Sequence, residues 1–265
     1  MSAPTPLLDF FKRGEVARDV KLLAAAGALA PRAIEQLSIL VLLLDDGDPE
    51  IRLLAQQTID RIPVQALAGV LARTDVPIGV REFFADRGVF PDEIPSVVVD
   101  DPLIDSDPDT PADEEGARET AGDGDGASRE SIVQQLQKMG FTERLKAAVK
   151  GTREMRAILI RDPNKMIAAS VLSSSKVTEQ EIETYARIAN VSEDVLRIIG
   201  GTRAWTKNYG IVVALTRNPK TPLGLSLNLM ARLNDRDLNM LSLDRNVPEP
   251  LRTAARRKVV FGQSR

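Results

Sequence analysis

The sequence predicts an all-α protein with two solenoid modules of short helices, residues 1–95 and 131–265, joined by a disordered acidic linker at 96–130. Helix-start signals recur about every fourteen residues, a period at which each helix must bury its apolar side against its neighbours. Aromatic residues make up only 4% of the chain. Leu, Ile, Val and Ala must therefore form the core, which suits thin helices better than sheets.

Four prolines mark the helices of the first module. Pro49, Pro63, Pro77 and Pro91 are spaced 14 residues apart, and proline fits the first turn of a helix but ends the helix before it. The pattern predicts helices near residues 16–29, 31–44, 49–60, 63–73 and 77–87.

The linker is rich in Asp, Glu, Gly, Pro, Thr and Ser, which bury too little apolar surface to offset the entropy of folding. Val97–Val99, followed by Asp-Asp-Pro-Leu-Ile at 100–104, is an apolar exception within it. This motif is either the last strap of the first module or a docking peptide that adds to a groove or an edge.

Capping residues mark the helices of the second module. Ser131 with Gln134 and Thr178 with Glu181 have the spacing of capping boxes, in which side chains satisfy the free N–H groups of a helix start. Further helix starts are expected at Asn164, Thr178, Ser192, Thr206, Thr221, Asp235 and Pro248.

A longer period is superimposed on the short one. Similar tripeptides begin at Arg161, Ala189, Arg217 and Arg245, each 28 residues after the one before. The full repeat is therefore predicted to be a hairpin of two helices.

Charge is segregated along the chain. The net charge of −3 is made up of −2 over residues 1–90, −12 over 91–130 and +11 over 131–265. Basic residues at equivalent turns of a solenoid line one face, although each could instead cap its preceding helix. The predicted partner-binding residues are Arg161, Lys165, Arg203, Trp205, Lys207, Arg217, Lys220, Arg245, Arg256 and Arg257.

Trp205, the only tryptophan, lies between basic residues in this set. It is either an exposed anchor for a partner or the filling of a turn between two helices, with Arg203 and Lys207 facing water.

The chain has no cysteine and no histidine, which removes disulfides, iron–sulfur clusters, ordinary zinc sites and the commonest general base. No glycine-rich phosphate loop occurs either. We expect no catalytic residues, no metal and no cofactor. The longest apolar run, Ile39–Leu44, is too short to span a bilayer, and the start does not resemble a secretory signal, so a cytoplasmic location without membrane insertion is expected.

Two stretches of the second module resemble a known class of repeat. Gly-Thr-Arg-Ala-Trp-Thr-Lys-Asn-Tyr at 201–209 and Ala-Leu-Thr-Arg-Asn-Pro-Lys-Thr-Pro at 214–222 resemble the bacterial leucine-rich-repeat variant and HEAT-like helical-repeat proteins. The likeness covers 141–260 well and 31–90 loosely. It implies a curved stack of short helices used for macromolecular contacts. The cysteine-ligated iron–sulfur module of some members is impossible here.

These observations favour a non-enzymatic scaffold or adaptor that binds an acidic protein through the basic second module, with the acidic linker competing for the same surface. The alternative is a nucleic-acid-binding repeat protein, against which the acidic whole chain and the scarcity of aromatic residues count. An enzyme is a third class, for which no arrangement of acid, base and nucleophile is recognisable.

Overall fold

The computed structural model describes residues 5–93, 100–106 and 125–262. Within these ranges the chain forms sixteen α-helices and two short 3₁₀ helices and no strand, which confirms the all-α prediction. In chain order the α-helices are α1 Pro6–Lys12, α2 Arg18–Ala25, α3 Ala33–Leu43, α4 Pro49–Asp60, α5 Val64–Leu71, α6 Ile78–Ala85, α7 Asp125–Lys138, α8 Phe141–Lys150, α9 Arg153–Leu159, α10 Lys165–Ser170, α11 Glu179–Arg187, α12 Glu193–Gly201, α13 Tyr209–Arg217, α14 Leu223–Met230, α15 Asp235–Leu243 and α16 Glu249–Gly262.

The helices belong to two compact units that divide between Lys176 and Val177. The sequence pattern placed the division within 96–130 instead. In the structure, the backbone N–H of Arg32 donates to the carbonyl of Ser173 at 3.2 Å, and the Arg32 Nε donates to the carbonyl of Ser174 at 3.0 Å. Helices on both sides of the acidic range therefore share the first unit, because a change in composition does not mark the end of a core.

The first unit is built around α3. Every residue from 29 to 40, a range that includes most of this helix, is buried. Helices α1, α2, α4 and α6 all contact α3, and α1 also packs on α10. The proline spacing correctly predicts the starts of three helices of this unit, α4, α5 and α6. Pro49 is the first residue of α4, whose start is capped by Asp48, while Pro63 and Pro77 immediately precede α5 and α6. Helix α1 also begins at a proline, Pro6, although this residue lies outside the 14-residue spacing. No helix follows Pro91 as far as residue 93.

Helix α7 begins inside the predicted linker. Its first residue is Asp125, so Ser131 lies within the helix, and the prediction that Ser131 and Gln134 form its N-terminal capping box is wrong. The same residue types are tolerated on the exposed surface of a helix. The remaining parts of the linker, 96–99 and 107–124, lie outside the described residues.

The second unit follows the predicted capping pattern. The Thr178 Oγ accepts a hydrogen bond from the Glu181 N–H at 3.3 Å, and the Glu181 carboxylate accepts one from the Thr178 N–H at 3.0 Å, which confirms that capping box. Ser192 caps α12 as predicted. The start expected at Thr206 is displaced, because Trp205–Lys207 forms a 3₁₀ turn and Asn208 then caps α13.

Helices of the second unit pack on helices two places along the chain as well as on their direct neighbours. Helix α11 packs on α13 and α14 packs on α16, while α13 also contacts α12 and α14. Asn218, buried in the turn after α13, donates from Nδ2 to the carbonyls of Ala186 and Ile188 at 2.8 and 3.0 Å. One side chain thus joins the turn after α13 to the end of α11.

Candidate interaction surfaces

The basic residues predicted to form one ridge in the second unit lie at two different sets of turns. Arg232 donates from NH2 to the carbonyl of Thr206 at 2.6 Å, so the α14–α15 turn adjoins the α12–α13 turn, which carries Arg203 and Lys207. Asn218 instead ties the α13–α14 turn, which carries Lys220, to the end of α11. The predicted ridge is therefore divided between at least two edges of this unit.

Four of the predicted residues at these turns are exposed and carry a charge that no neighbour offsets. Neither hydrogen bonds nor ion pairs involve their side chains among the residues that the structure describes. They are Arg203, Lys207, Lys220 and Arg245. The charge of Arg217 is offset by contrast, because its NH2 contacts the Asp237 carboxylate at 3.2 Å.

Helix α16 carries four basic residues with different surroundings, and one of them, Arg252, is paired with Glu249 on the same helix. Arg257 is exposed and has no side-chain partner in the described ranges. The Arg256 Nε donates to the carbonyl of Ser242 in the last turn of α15 at 3.1 Å, and Lys258 Nζ donates to the carbonyl of Ala231, just after α14, at 2.9 Å. Capping of helix ends by cations therefore occurs here, where it also suits the helix dipole.

Arg161 and Lys165 belong to the first unit, at the turn between α9 and α10, and both are exposed. Arg161 does not cap the helix before it, since its side chain bonds no carbonyl of the described chain. Lys165 is the first residue of α10, next to the capping residue Asn164. These two residues are not part of the second unit's basic turns.

Trp205 does not belong to an exposed binding surface. Only 6% of its surface is accessible, and it lies in the 3₁₀ turn between α12 and α13. A large aromatic ring stabilises such a turn by burying apolar area. Arg203 and Lys207 beside it face solvent. The inclusion of Trp205 among partner-binding residues is therefore corrected, and the turn-filling alternative is confirmed.

The structure reveals a contact that the sequence did not specify, made by residues 100–106, which we name the strap. The Gln36 Oε1 accepts hydrogen bonds from the N–H groups of Leu103 and Ile104 at 2.7 and 3.1 Å. Its Nε2 donates to the Ile104 carbonyl at 2.6 Å. The backbone N–H of Ser106 donates to the carbonyl of Gly27 at 3.3 Å. The strap is thus held mainly through its backbone, as the first of the two interpretations of this motif predicts.

Basic side chains lie at both ends of the strap. Asp100 contacts the Arg73 guanidinium at 2.9 Å, with the Arg32 guanidinium 4.0 Å away on its other side. Asp105 forms an ion pair with Lys150, whose side chain is 8% exposed. We name the surface formed by Gly27, Gln36, Arg73 and Lys150 the strap groove.

A second groove lies between α3, α4 and α6 in the same unit. Its volume is about 580 Å³, and it is open to solvent along its length. The Arg87 guanidinium lies over the Phe83 ring, 3.5 Å from the ring centre. The lining residues are Val41, Leu44, Asp45, Pro49, Arg52, Leu53, Gln56, Phe83 and Arg87. Its lining mixes apolar, acidic and basic side chains and does not indicate a ligand class.

One buried carboxyl group has an unusual protonation equilibrium. Glu35 on α3 is fully buried, and its Oε1 accepts a hydrogen bond from the Leu8 N–H at 3.1 Å. Burial raises the pKa of Glu35 to about 7, although the hydrogen bond from Leu8 acts in the opposite direction. Glu35 thereby satisfies the first turn of α1 from a neighbouring helix.

Comparison with known proteins gives no assignment, since no family model, curated protein or solved structure matches the chain. The described residues contain no cluster of acidic side chains arranged to bind a metal ion. Among the helices described, none combines the length and apolar character needed to cross a membrane.

Proposed function

We propose that the chain is a non-enzymatic scaffold or adaptor, an α-solenoid of the HEAT-like and leucine-rich-repeat-variant kind, which binds an acidic surface of another protein. The observation that carries this proposal is the set of cations exposed at the turns of the second unit without a local counter-charge. These residues are Arg203, Lys207, Lys220 and Arg245.

The contrast with other arginines supports a role for this set. Arg187 and Arg197 are paired with Glu183 and Glu193 one helical turn earlier on the same helix, so their charge is offset locally. Cations at the turns have no such pairing, and an acidic partner would supply it. Complementary charge of this kind speeds encounter and selects among partners.

The acidic segment 107–124 has a regulatory role in this proposal. It contains seven acidic residues and one basic residue. It is covalently attached to the same chain as the basic turns, for which it would compete with an acidic partner. A tethered competitor acts at an effective concentration of about millimolar when its linker is short and flexible. The segment would therefore weaken binding of acidic partners that carry little charge and spare those that carry more.

The experiment compares full-length variants in which exposed cations are reversed. Lys220→Glu with Arg245→Glu tests one edge, and Arg203→Glu with Lys207→Glu tests the other. The control pair is Lys138→Glu with Arg153→Glu, which changes the net charge equally at exposed positions of the first unit. Partners are captured from the native cell and identified by mass spectrometry.

The proposal requires a protein with an acidic surface that the wild-type chain and the control pair retain and that at least one edge variant loses. Equal retention by all variants would contradict it. A gel shift with duplex DNA at low and high salt, on the same chains, tests the nucleic-acid alternative. Salt-sensitive DNA binding that is lost in the edge variants would replace the protein-partner proposal.

A further inference from the structure

The strap groove recognises the backbone of the strap, which bends at Leu103. Gln36 uses both atoms of its side-chain amide, accepting from two N–H groups and donating to one carbonyl of the strap. Because these bonds involve only the backbone of Leu103 and Ile104, they place no restriction on the identity of the peptide residues.

Selectivity comes from the space above Gly27. This residue has a φ of +76°, and a Cβ built on it would lie 2.8 Å from the Ile104 side chain. The absence of a side chain at position 27 therefore makes room for the branched apolar side chain at position 104. The Thr58 side chain borders the same space and is fixed by donating to the carbonyl of Ala25 at 2.6 Å.

The cations of the groove set the charge of the peptide. Arg73 contacts the carboxylate at position 100, and Lys150 contacts the one at position 105. Lys150 is almost entirely buried, and a buried cation deprived of its counter-charge is costly. A carboxylate at the Lys150 end of the groove therefore favours binding of a peptide there.

We propose that the strap groove is a docking site for an acidic peptide of another protein that bends as the strap does, and that the chain's own residues 100–106 are its resident competitor. The peptide carries a carboxylate, two apolar residues three and four positions later, and a second carboxylate directly after them. This site is in the first unit and is independent of the basic turns of the second.

A partner protein is a better occupant than a second copy of this chain. Two copies that exchange straps would form the same contacts that each already makes within itself, so exchange offers no new interaction to offset the entropy of association. A partner peptide that fits better than Leu103 and Ile104, which remain half-buried, gains interactions when it displaces the strap.

The test measures binding of a fluorescent peptide with the sequence of residues 98–108 to the full chain by fluorescence anisotropy. In wild-type protein the covalently attached strap competes, whereas Ile104→Asp removes its apolar contact beside Gly27 and opens the groove. We expect the Ile104→Asp chain to bind the peptide at least about tenfold more tightly than wild type. The matched control is Ile78→Asp, at an exposed position on α6, which should bind as wild type does.

A second pair of variants tests the groove itself. Combined with Ile104→Asp, Gly27→Ala should abolish the gain in binding, because the added methyl group occupies the space of the peptide side chain. Gly14→Ala is the matched control, since Gly14 also has a positive φ but nothing lies within 4 Å of a Cβ built there. Both substitutions place an alanine at a positive φ and so carry the same backbone strain. Only Gly27→Ala adds a methyl group to the groove.

Exchanging the charges of Lys150 and its partner carboxylate tests whether the two groups bind each other directly. If Lys150 only stabilised the fold, the exchange would not restore peptide binding. In the Ile104→Asp background, Lys150→Glu should bind the natural peptide weakly and a peptide carrying Asp105→Lys more tightly.

If Ile104→Asp fails to fold by circular dichroism, Asp100→Ala with Asp105→Ala weakens the strap instead and the same titrations are made. Equal peptide binding by wild type and both opened variants overturns the proposal, as does sedimentation showing that wild type is a dimer which these variants dissociate.

Discussion

The carboxyl group of Glu35, on α3, is buried against the first turn of α1. Glu35 accepts a hydrogen bond from the N–H of Leu8, and its pKa is raised to about 7 because burial disfavours the charged form. The role of this residue could not be predicted from the sequence, because Glu35 lies in an apolar helix and its partner is 27 residues earlier. Its effect on stability nevertheless follows from the direction of the pKa shift.

The folded protein should lose stability as pH rises from about 5 to about 8. A folded-state pKa of about 7, above the ordinary 4.5, means that the native state holds a proton that the unfolded chain has released. The stability contribution of Glu35 is therefore fully present below the ordinary pKa and is lost as pH rises through 7. Over this interval the loss is about 3 kcal/mol. Urea unfolding across this pH range measures it.

Glu35→Gln is the matched variant for that measurement. Glutamine retains an oxygen to accept from Leu8 but cannot titrate. The variant should show a flatter dependence of unfolding free energy on pH and should equal or exceed wild type in stability at the alkaline end. An unchanged slope would assign the pH dependence to other groups.

At the scale of the element, most helix starts could be predicted because they depend on neighbouring residues. Pro49 begins α4, and Thr178, Asn164 and Ser192 cap α11, α10 and α12. The starts of α1 and α7 were not predicted, although α1 begins at a proline, Pro6, that lies outside the 14-residue spacing. Helix α1 takes part of its capping from Glu35 on another helix, and α7 extends into a polar stretch whose composition resembles a linker.

Removal of one capping box should show how much such local signals contribute. Thr178→Ala deletes the oxygen that accepts from the Glu181 N–H and should lower the free energy of unfolding by about 1 kcal/mol. Thr184→Ala, on the same helix, is the control, because the Thr184 hydroxyl bonds only the Gln180 carbonyl of its own helix and its loss should be nearly neutral. Chemical denaturation of both variants compares them, and equal losses would count against the cap.

The strap is the element for which sequence reasoning left two alternatives open. Its apolar residues could be recognised by composition, but Gln36, which holds it, is 67 and 68 residues away from the groups that it bonds. No local pattern links such distant positions. The basic turns show the same limit of local patterns. The 28-residue period located the turns of Lys220 and Arg245, but the burial of Trp205 depends on the helices that pack around it.

At the scale of the whole molecule, charge segregation was the property most directly readable from the sequence. Residues 91–130 carry a net charge of −12 and residues 131–265 a net charge of +11. The division into units was not readable, because Arg32 joins residues 173 and 174 across the acidic stretch. The acidic residues that we propose as competitors for the basic turns are therefore those of 107–124, a range narrower than the predicted linker.

Removing the charge of this segment should strengthen binding of acidic ligands. A full-length variant with the seven acidic residues of 107–124 changed to their amides keeps the length of the segment. It should bind an oligo-glutamate peptide about three- to tenfold more tightly than wild type at low salt, and equally at about 0.5 M salt, where charge is screened. Anisotropy titrations measure both. Identical affinities at low salt would show that the segment does not compete.

The bonds from Arg32 to Ser173 and Ser174 also bear on the order in which the protein can be made. The Arg32 Nε and the Ser174 carbonyl are 142 residues apart, so α1 to α6 emerge from the ribosome long before part of their packing surface exists. Contacts of such wide sequence separation slow folding, and incomplete cores expose apolar surface meanwhile. During synthesis the first unit must therefore wait for α10 before its core can close.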